Sequence, residues 1–228
     1  MSRIRLPLIA AALMAASPVV AQELPRWYAG AAGGQSRTGH ELVENRESTI
    51  VNGSGVSSDF DATDAGWKIF AGWRVNGYFA LEASYADLGE SHLVTHTVSV
   101  DQLPGSIDIR RKITGFGLDA LVSAPVGSRF TVFGRLGAVR SRLREDASLD
   151  GGIVFTNGPA DERSRTVTLD ETVAHFGAGG EWRIRDDVSL RLEWERFHNV
   201  GKAFEIGGTG TTGEADTDLV SLGVLMRF

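Results

Sequence analysis

The sequence predicts an all-β protein, an eight-stranded antiparallel up-and-down transmembrane β-barrel. Three observations carry that expectation. Apolar residues recur at every second position in a series of separate segments, and no helical period competes after residue 22. Short connections alternate strictly with long ones. The polar face of the segments bears charges of both signs, whereas the apolar face is almost free of charge.

Ahead of these segments, MSRIRLPLIAAALMAASPVVAQE places Arg3 and Arg5 before an apolar run from Leu6 to Ala16, with Val19 and Ala21 at the −3 and −1 positions of a cut. Residues 1–21 therefore read as a cleaved secretory signal peptide. The run is shorter than the roughly 20 residues a membrane helix needs. Residues 22–228 are the expected barrel domain. The formal net charge of −6 becomes −8 without Arg3 and Arg5, which argues against nucleic acid as a partner. Cysteine is absent, so disulfides and thiolate metal sites are excluded. A mean hydropathy of −0.07 and 28 glycines do not exclude a membrane barrel, because half of each strand faces a polar lumen, so composition leaves two candidates, an exported all-β domain in water or a membrane barrel.

The first strand is expected in RWYAGAAGGQS. In GWKIFAGWRV, Trp67, Ile69, Ala71, Trp73 and Val75 share one face and Lys68 and Arg74 the other, although Phe70 breaks the pattern. Asn76-Gly77 predicts a two-residue hairpin turn, since both residues tolerate positive φ. Beyond it, Phe79, Leu81, Ala83 and Tyr85 oppose Glu82 and Ser84. The next pair sets Phe116, Leu118, Ala120 and Val122 against Gly117, Asp119 and Ser123, then Phe130, Val132, Leu136 and Ala138 against Thr131, Arg135 and Gly137, across a turn near Pro125 to Ser128. The third pair sets Thr172, Ala174, Phe176, Ala178 and Trp182 against His175, Gly177 and Glu181. Across a turn at Arg185 to Asp187, Val188, Leu190, Leu192 and Trp194 oppose Arg191, Glu193 and Glu195. The closing strand from Thr217 sets Val220, Leu222, Val224, Met226 and Phe228 against Ser221, Gly223 and Arg227.

Four long polar connections are expected, at roughly residues 37–63, 89–109, 141–168 and 198–216. Their alternation with tight turns puts all long loops at one rim of a barrel and both termini at the other. A Greek-key sandwich has no reason to sort its loops this way. The charged face decides the solvent. Lys68, Arg74, Arg135, Arg183, Arg191 and Arg227 nearly balance Glu82, Asp119, Glu181, Glu193 and Glu195, so they are expected to pair across a bore just wide enough for side chains. The uncharged face suits lipid, where a central Arg or Lys is disfavoured by about 2 to 4 kcal/mol. Trp27, Trp67, Trp73, Phe79, Tyr85, Phe130, Trp182 and Phe228 fall toward strand ends, as interfacial girdles do.

With these residues in place, RWYAGAAGG, FALEASYADLG, FGRLGAV, LRLEWERFHNVG and LVSLGVLMRF resemble the first, third, fifth, seventh and eighth strands of the OmpA-like transmembrane domain family of small outer-membrane β-barrels. The resemblance runs across nearly the whole mature chain and is strongest in its last forty residues. It implies a porin-like membrane protein of the cell outer membrane of a Gram-negative bacterium, with a structural, membrane-stabilising role and surface-exposed loops. The alternatives are a narrow ion channel gated by lumen salt bridges and a loop-mediated adhesin. Implied partners are outer-membrane lipid and lipopolysaccharide, the outer-membrane assembly machinery and a surface ligand of the loops.

In that family, lumen-facing charges form an ion-pair network that blocks a wide pore and can rearrange to gate a narrow one. Matched by motif, the network falls on Glu82, Arg135, Glu193 and Arg227, with Arg227 expected to reach Glu82 or Glu193. The family's fourth-strand lysine has no counterpart here; Asp119 is the inward charge, and Lys68 completes the expected set. Phe228 resembles the terminal aromatic signal read by the assembly machinery. Many members continue into a periplasmic peptidoglycan-binding domain, which is not expected here.

No motif points to an enzyme or a cofactor. GTGTTG, Gly208 to Gly213, fits a phosphate-loop pattern but lacks the strand and helix that such a loop requires. His92 and His96 would lie roughly 13 Å apart in an extended segment, too far to share a metal ion, and read as solvated loop residues. His175 is expected in the lumen beside Glu193 or another carboxylate. His198 and Ser221 lack the G-x-S-x-G elbow of a hydrolase. Glu82 and Glu193 read as ion-pair members rather than as a catalytic carboxylate pair.

Overall fold

A computed structural model of the chain describes residues 27–39, 53–61, 63–99, 103–155, 159–201 and 215–228. The expected signal peptide and the GTGTTG segment lie outside the described residues. Among the described residues, nine strands follow in order: β1 (Trp27–Thr38), β2 (Gly53–Asp61), β3 (Thr63–Arg74), β4 (Phe79–Ser99), β5 (Pro104–Val126), β6 (Phe130–Gly151), β7 (Ser164–Arg183), β8 (Val188–Val200) and β9 (Ala215–Arg227). Both β2 and β3 pair with the same edge of β4, so together they make one stave. Eight antiparallel staves therefore close through β1 and β9, and closure removes the exposed sheet edges there.

The hydrogen-bonded row that starts at Tyr28 passes through Gly72, Glu82, Asp119, Gly137, His175, Phe197 and Thr217. It returns to β1 at Thr38, ten residues beyond its start. A shear of that size tilts the staves by about 40 to 45° and leaves a bore that side chains fill. Apolar residues point outward along each stave, as the alternation requires. Leu118 is 72% exposed, Leu136 66% and Leu222 58%, which is the accessibility of a wall made to meet lipid rather than water. Two aromatic rings bound this wall. Trp27, Trp73, Phe79, Phe130, Trp182 and Phe228 form the one at the tight-turn end. Trp67, Tyr85, Phe116, Phe176 and Trp194 form the other, with Tyr85 and Phe116 centroids 4.7 Å apart. On β3 and β4 the rings are six residues apart, about 20 Å of strand.

Three features differ from the sequence expectation. Phe70 does not break the alternation; it points inward and is buried. The turn after β3 is longer than two residues, because Val75 N–H donates to Phe79 O at 2.9 Å, and neither Asn76 nor Gly77 takes positive φ. The Asn76 side chain makes the turn instead, accepting from the N–H groups of Tyr78 and Phe79 at 2.8 Å each. Strand β2 stands within the expected loop at 37–63, and most of residues 89–109 and 141–168 is not loop. There β4, β5, β6 and β7 continue as sheet well past the upper aromatic ring, and His92 and His96 lie on β4.

These extensions carry a core of their own. Leu93, Ile107, Ile109, Leu143, Ala147 and Leu149 face inward and are buried, and Ile153 and Phe155 fold in from the β6–β7 connection. Arg163 fixes that connection by donating to the carbonyls of Gly151 (3.1 Å) and Ile153 (2.8 Å). The Arg165 guanidinium lies 4.4 Å from the Phe155 ring centroid. A buried pair, Arg111 and Glu145 at 2.6 Å, stands within the same core.

Candidate functional site

The bore is layered along its axis, and each layer follows from the small residues opposite it. At the tight-turn end, Glu181 accepts from Arg74 (3.0 Å), Arg227 (2.7 Å) and Arg191 (2.8 Å). Arg191 is fully buried. Its guanidinium lies 4.4 Å from the Phe70 centroid, 5.0 Å from Phe133 and 5.5 Å from Tyr28, and its other end donates to Glu82 at 2.7 Å. Phe70 is thus part of an aromatic cage for a cation. Tyr28 donates to Glu82 at 2.8 Å. Gly72 makes room for that ring, since a Cβ there would stand 2.1 Å from Tyr28 Cζ.

The next layer is centred on Arg135. It pairs with Glu82, with Glu195 at 2.6 Å, with Glu193 at 2.7 Å and with Asp119 at 3.5 Å. Lys68 pairs with Glu193 and, at 2.5 Å, with Glu195. His175 closes the cluster from above: Nδ1 is 2.8 Å from Asp119, Nε2 is 3.2 Å from Glu195, and the ring stacks on Phe197 at 4.5 Å. All these side chains are almost wholly buried, so each charge depends on its partners rather than on water. Directly above, Val139, Leu143, Val173, Phe197 and Leu219 fill the bore with apolar atoms.

Five of the expected network residues, Lys68, Glu82, Asp119, Arg135 and Glu193, come together in one cluster. Arg227 does not join it. It lies a layer lower, paired with Glu181 and with Ser189 Oγ at 2.7 Å, because it stands beyond Met226, the partner of Val188 at the start of β8, whereas Glu193 is level with Ser221. His175 meets Asp119 and Glu195 rather than Glu193. Alternation puts Arg191, Glu181 and Glu195 inside, but it does not mark Arg191 as the link between the two layers; the neighbouring inward Phe70 and Phe133 are the signal that would have. Phe228 points outward at the lower ring, and its N–H donates to Trp27 O at 3.0 Å.

His198 and Ser221 cannot act together, because they stand on opposite sides of the wall. His198 faces outward and bonds Asp216 at 2.7 Å, whereas Ser221 is buried in the lumen. His92 pairs with Asp108 at 2.9 Å.

This closed eight-stave barrel, with charges inside and girdles outside, is matched by the profile of the OmpA-like transmembrane domain over residues 22–228. The chain belongs to the OmpA-like transmembrane domain family. Outer membrane protein A of Shigella flexneri is 29% identical over 225 residues, covering 96% of this chain and 54% of that protein. Outer membrane protein A of Shigella dysenteriae is 30% identical over 221 residues, covering 94% and 53%. The chain spans about half the length of the curated relatives it matches. Among solved structures, OprG from Pseudomonas aeruginosa is similar at a TM-score of 0.45 and 11% identity, over 90% of this chain and 98% of that one. Neisserial surface protein A is similar at 0.43 and 16%, over 89% and 97%. This OmpA-like chain is an integral protein of the outer membrane, with its long strand extensions on the outer side.

Proposed function

We propose that this OmpA-like barrel is a closed, non-enzymatic scaffold that reinforces the outer membrane and holds a folded platform beyond it. The observation that carries the reading is the continuous filling of the bore. Ion pairs run from Glu181 through Arg191 and Arg135 to His175, and an apolar layer from Val139 to Leu219 lies directly on top. An ion would have to break the pairs and then cross a stretch that expels water. Rearranging the charges alone leaves that second barrier in place.

The test is planar-bilayer recording of the refolded full chain beside Glu82→Ala and Arg135→Ala. The expected result is silence for all three over the whole voltage range. Conductance steps in the wild type that change in Glu82→Ala would replace the scaffold with a channel gated at the lumen cluster.

A further inference from the structure

The outer wall of β5 and β6 changes character within one step. On β6 the outward residues run Val132, Leu136, Ala138 and then Arg140, Arg142 and Arg144. On β5 they run Ala120, Leu118, Phe116 and then Thr114, Lys112 and Arg110. Phe116 and Arg140 are direct cross-strand partners, so the first guanidinium stands level with the upper aromatic ring. Lys112 faces Arg144 in the same way. Like charges set directly opposite are unfavourable in a sheet unless anions lie among them.

The aspartates nearby answer these charges incompletely. Arg142 pairs with Asp170 at 2.8 Å, Arg144 with Asp146 at 3.0 Å, Lys112 with Asp87 at 3.1 Å and Arg110 with Asp108 at 3.5 Å. Arg140 donates to the Thr172 hydroxyl at 3.4 Å. Asp170 therefore lies within the field of two guanidiniums and neutralises one. Exposed pairs of this kind exchange partners readily. Arg196, at a similar height on β8, differs: Asp218 holds it through two bonds of 2.7 Å each.

We propose that Arg140 and Arg142, with Lys112 beside them, hold phosphate groups of outer-leaflet glycolipid against the barrel. The cations begin on the row where the lipid-facing wall ends. A lipid whose acyl chains pack on Leu118, Leu136 and Ala138 presents its headgroup phosphate at that height, and a guanidinium fork matches phosphate oxygens two at a time. The proposal rests on the outer-membrane location and not on whether the bore conducts.

The test uses the full chain refolded in zwitterionic micelles and titrated with a phosphorylated glycolipid or its dephosphorylated counterpart, bound lipid being counted by native mass spectrometry. The wild type is expected to prefer the phosphorylated form by about 10- to 30-fold. Arg140→Gln combined with Arg142→Gln should erase that preference, while Arg185→Gln, at the opposite rim, should keep it. Heat-modified gel mobility reports folding. Should the double variant not fold, Arg140→Gln alone is expected to lose about fivefold. Equal binding of the two lipids by the wild type, or a preference that survives in the folded variants, overturns the site. Displacement of the glycolipid by an equal concentration of inorganic phosphate overturns the lipid as its occupant.

Discussion

Arg135 meets Glu82, Asp119, Glu193 and Glu195 from one side chain, at a depth where water does not reach. Removing a buried partner leaves the opposite charges uncompensated, which is worth about 3 to 5 kcal/mol. Arg135→Met is therefore expected to destabilise the refolded barrel by that amount in urea unfolding followed by tryptophan fluorescence. A loss below about 1 kcal/mol would mean that the cluster does not hold the staves together. Arg135→Lys should recover only part, because a point charge cannot span four carboxylates as a planar fork does. The inward direction of these residues is legible in strict alternation, as Glu82 between Leu81 and Ala83 illustrates. Their axial level is not given by alternation, which marks the inward face and not the distance from the tight turns. Arg227 shares the inward phase of Arg135 but stands at the end of β9, beyond the Val188 partner Met226, and so lies a layer away.

At the scale of the element, β6 is the clearest case of structure hidden by composition. Its residues 141–151 read as a polar loop because the outward positions Arg142, Arg144, Ser148 and Asp150 are polar and lie past the apolar part of the wall. The inward positions Leu143, Ala147 and Leu149 keep the strand period and are buried. The signal of a half-soluble strand was present at Leu143, Ala147 and Leu149, but it differs from the signal of a lipid-facing one. Leu143→Ala is expected to lower the stability of the extension by about 2 to 5 kcal/mol. Limited trypsin digestion should then cut at Arg142 or Arg144 while the membrane part keeps its folded gel mobility; unchanged protease resistance would count against a core there. On β3 the opposite error is possible. Gly72→Val would drive a side chain into the Tyr28 ring, lifting its hydroxyl from Glu82, and is expected to destabilise by about 1 to 3 kcal/mol.

Over the whole molecule, two solvents meet one continuous sheet. Below the upper aromatic ring the wall is apolar and the bore holds the charge clusters among aromatic rings; above it the wall is charged and the bore mostly apolar around the Arg111–Glu145 pair, and β5 to β7 run through the change while β4 passes it with a bulge between Asp87 and Glu90. The hydrogen-bonded ladder, not the lipid, should then set how long its amides are protected. In hydrogen exchange on the full chain in nanodiscs, β6 amides from Val139 to Ser148 are expected to exchange on nearly the timescale of those from Phe130 to Ala138, since both are paired on each side by β5 and β7. β7 from Ser164 to Val173 should exchange faster, because among the described residues it pairs with β6 alone and β8 joins it only from Ala174 onward. Rapid exchange across all four extensions would show that the sheet ends with the membrane. Slow exchange of β5 and β6 with a faster β7 edge would place the platform's rigidity in its paired ladder, with β6 held between β5 and β7.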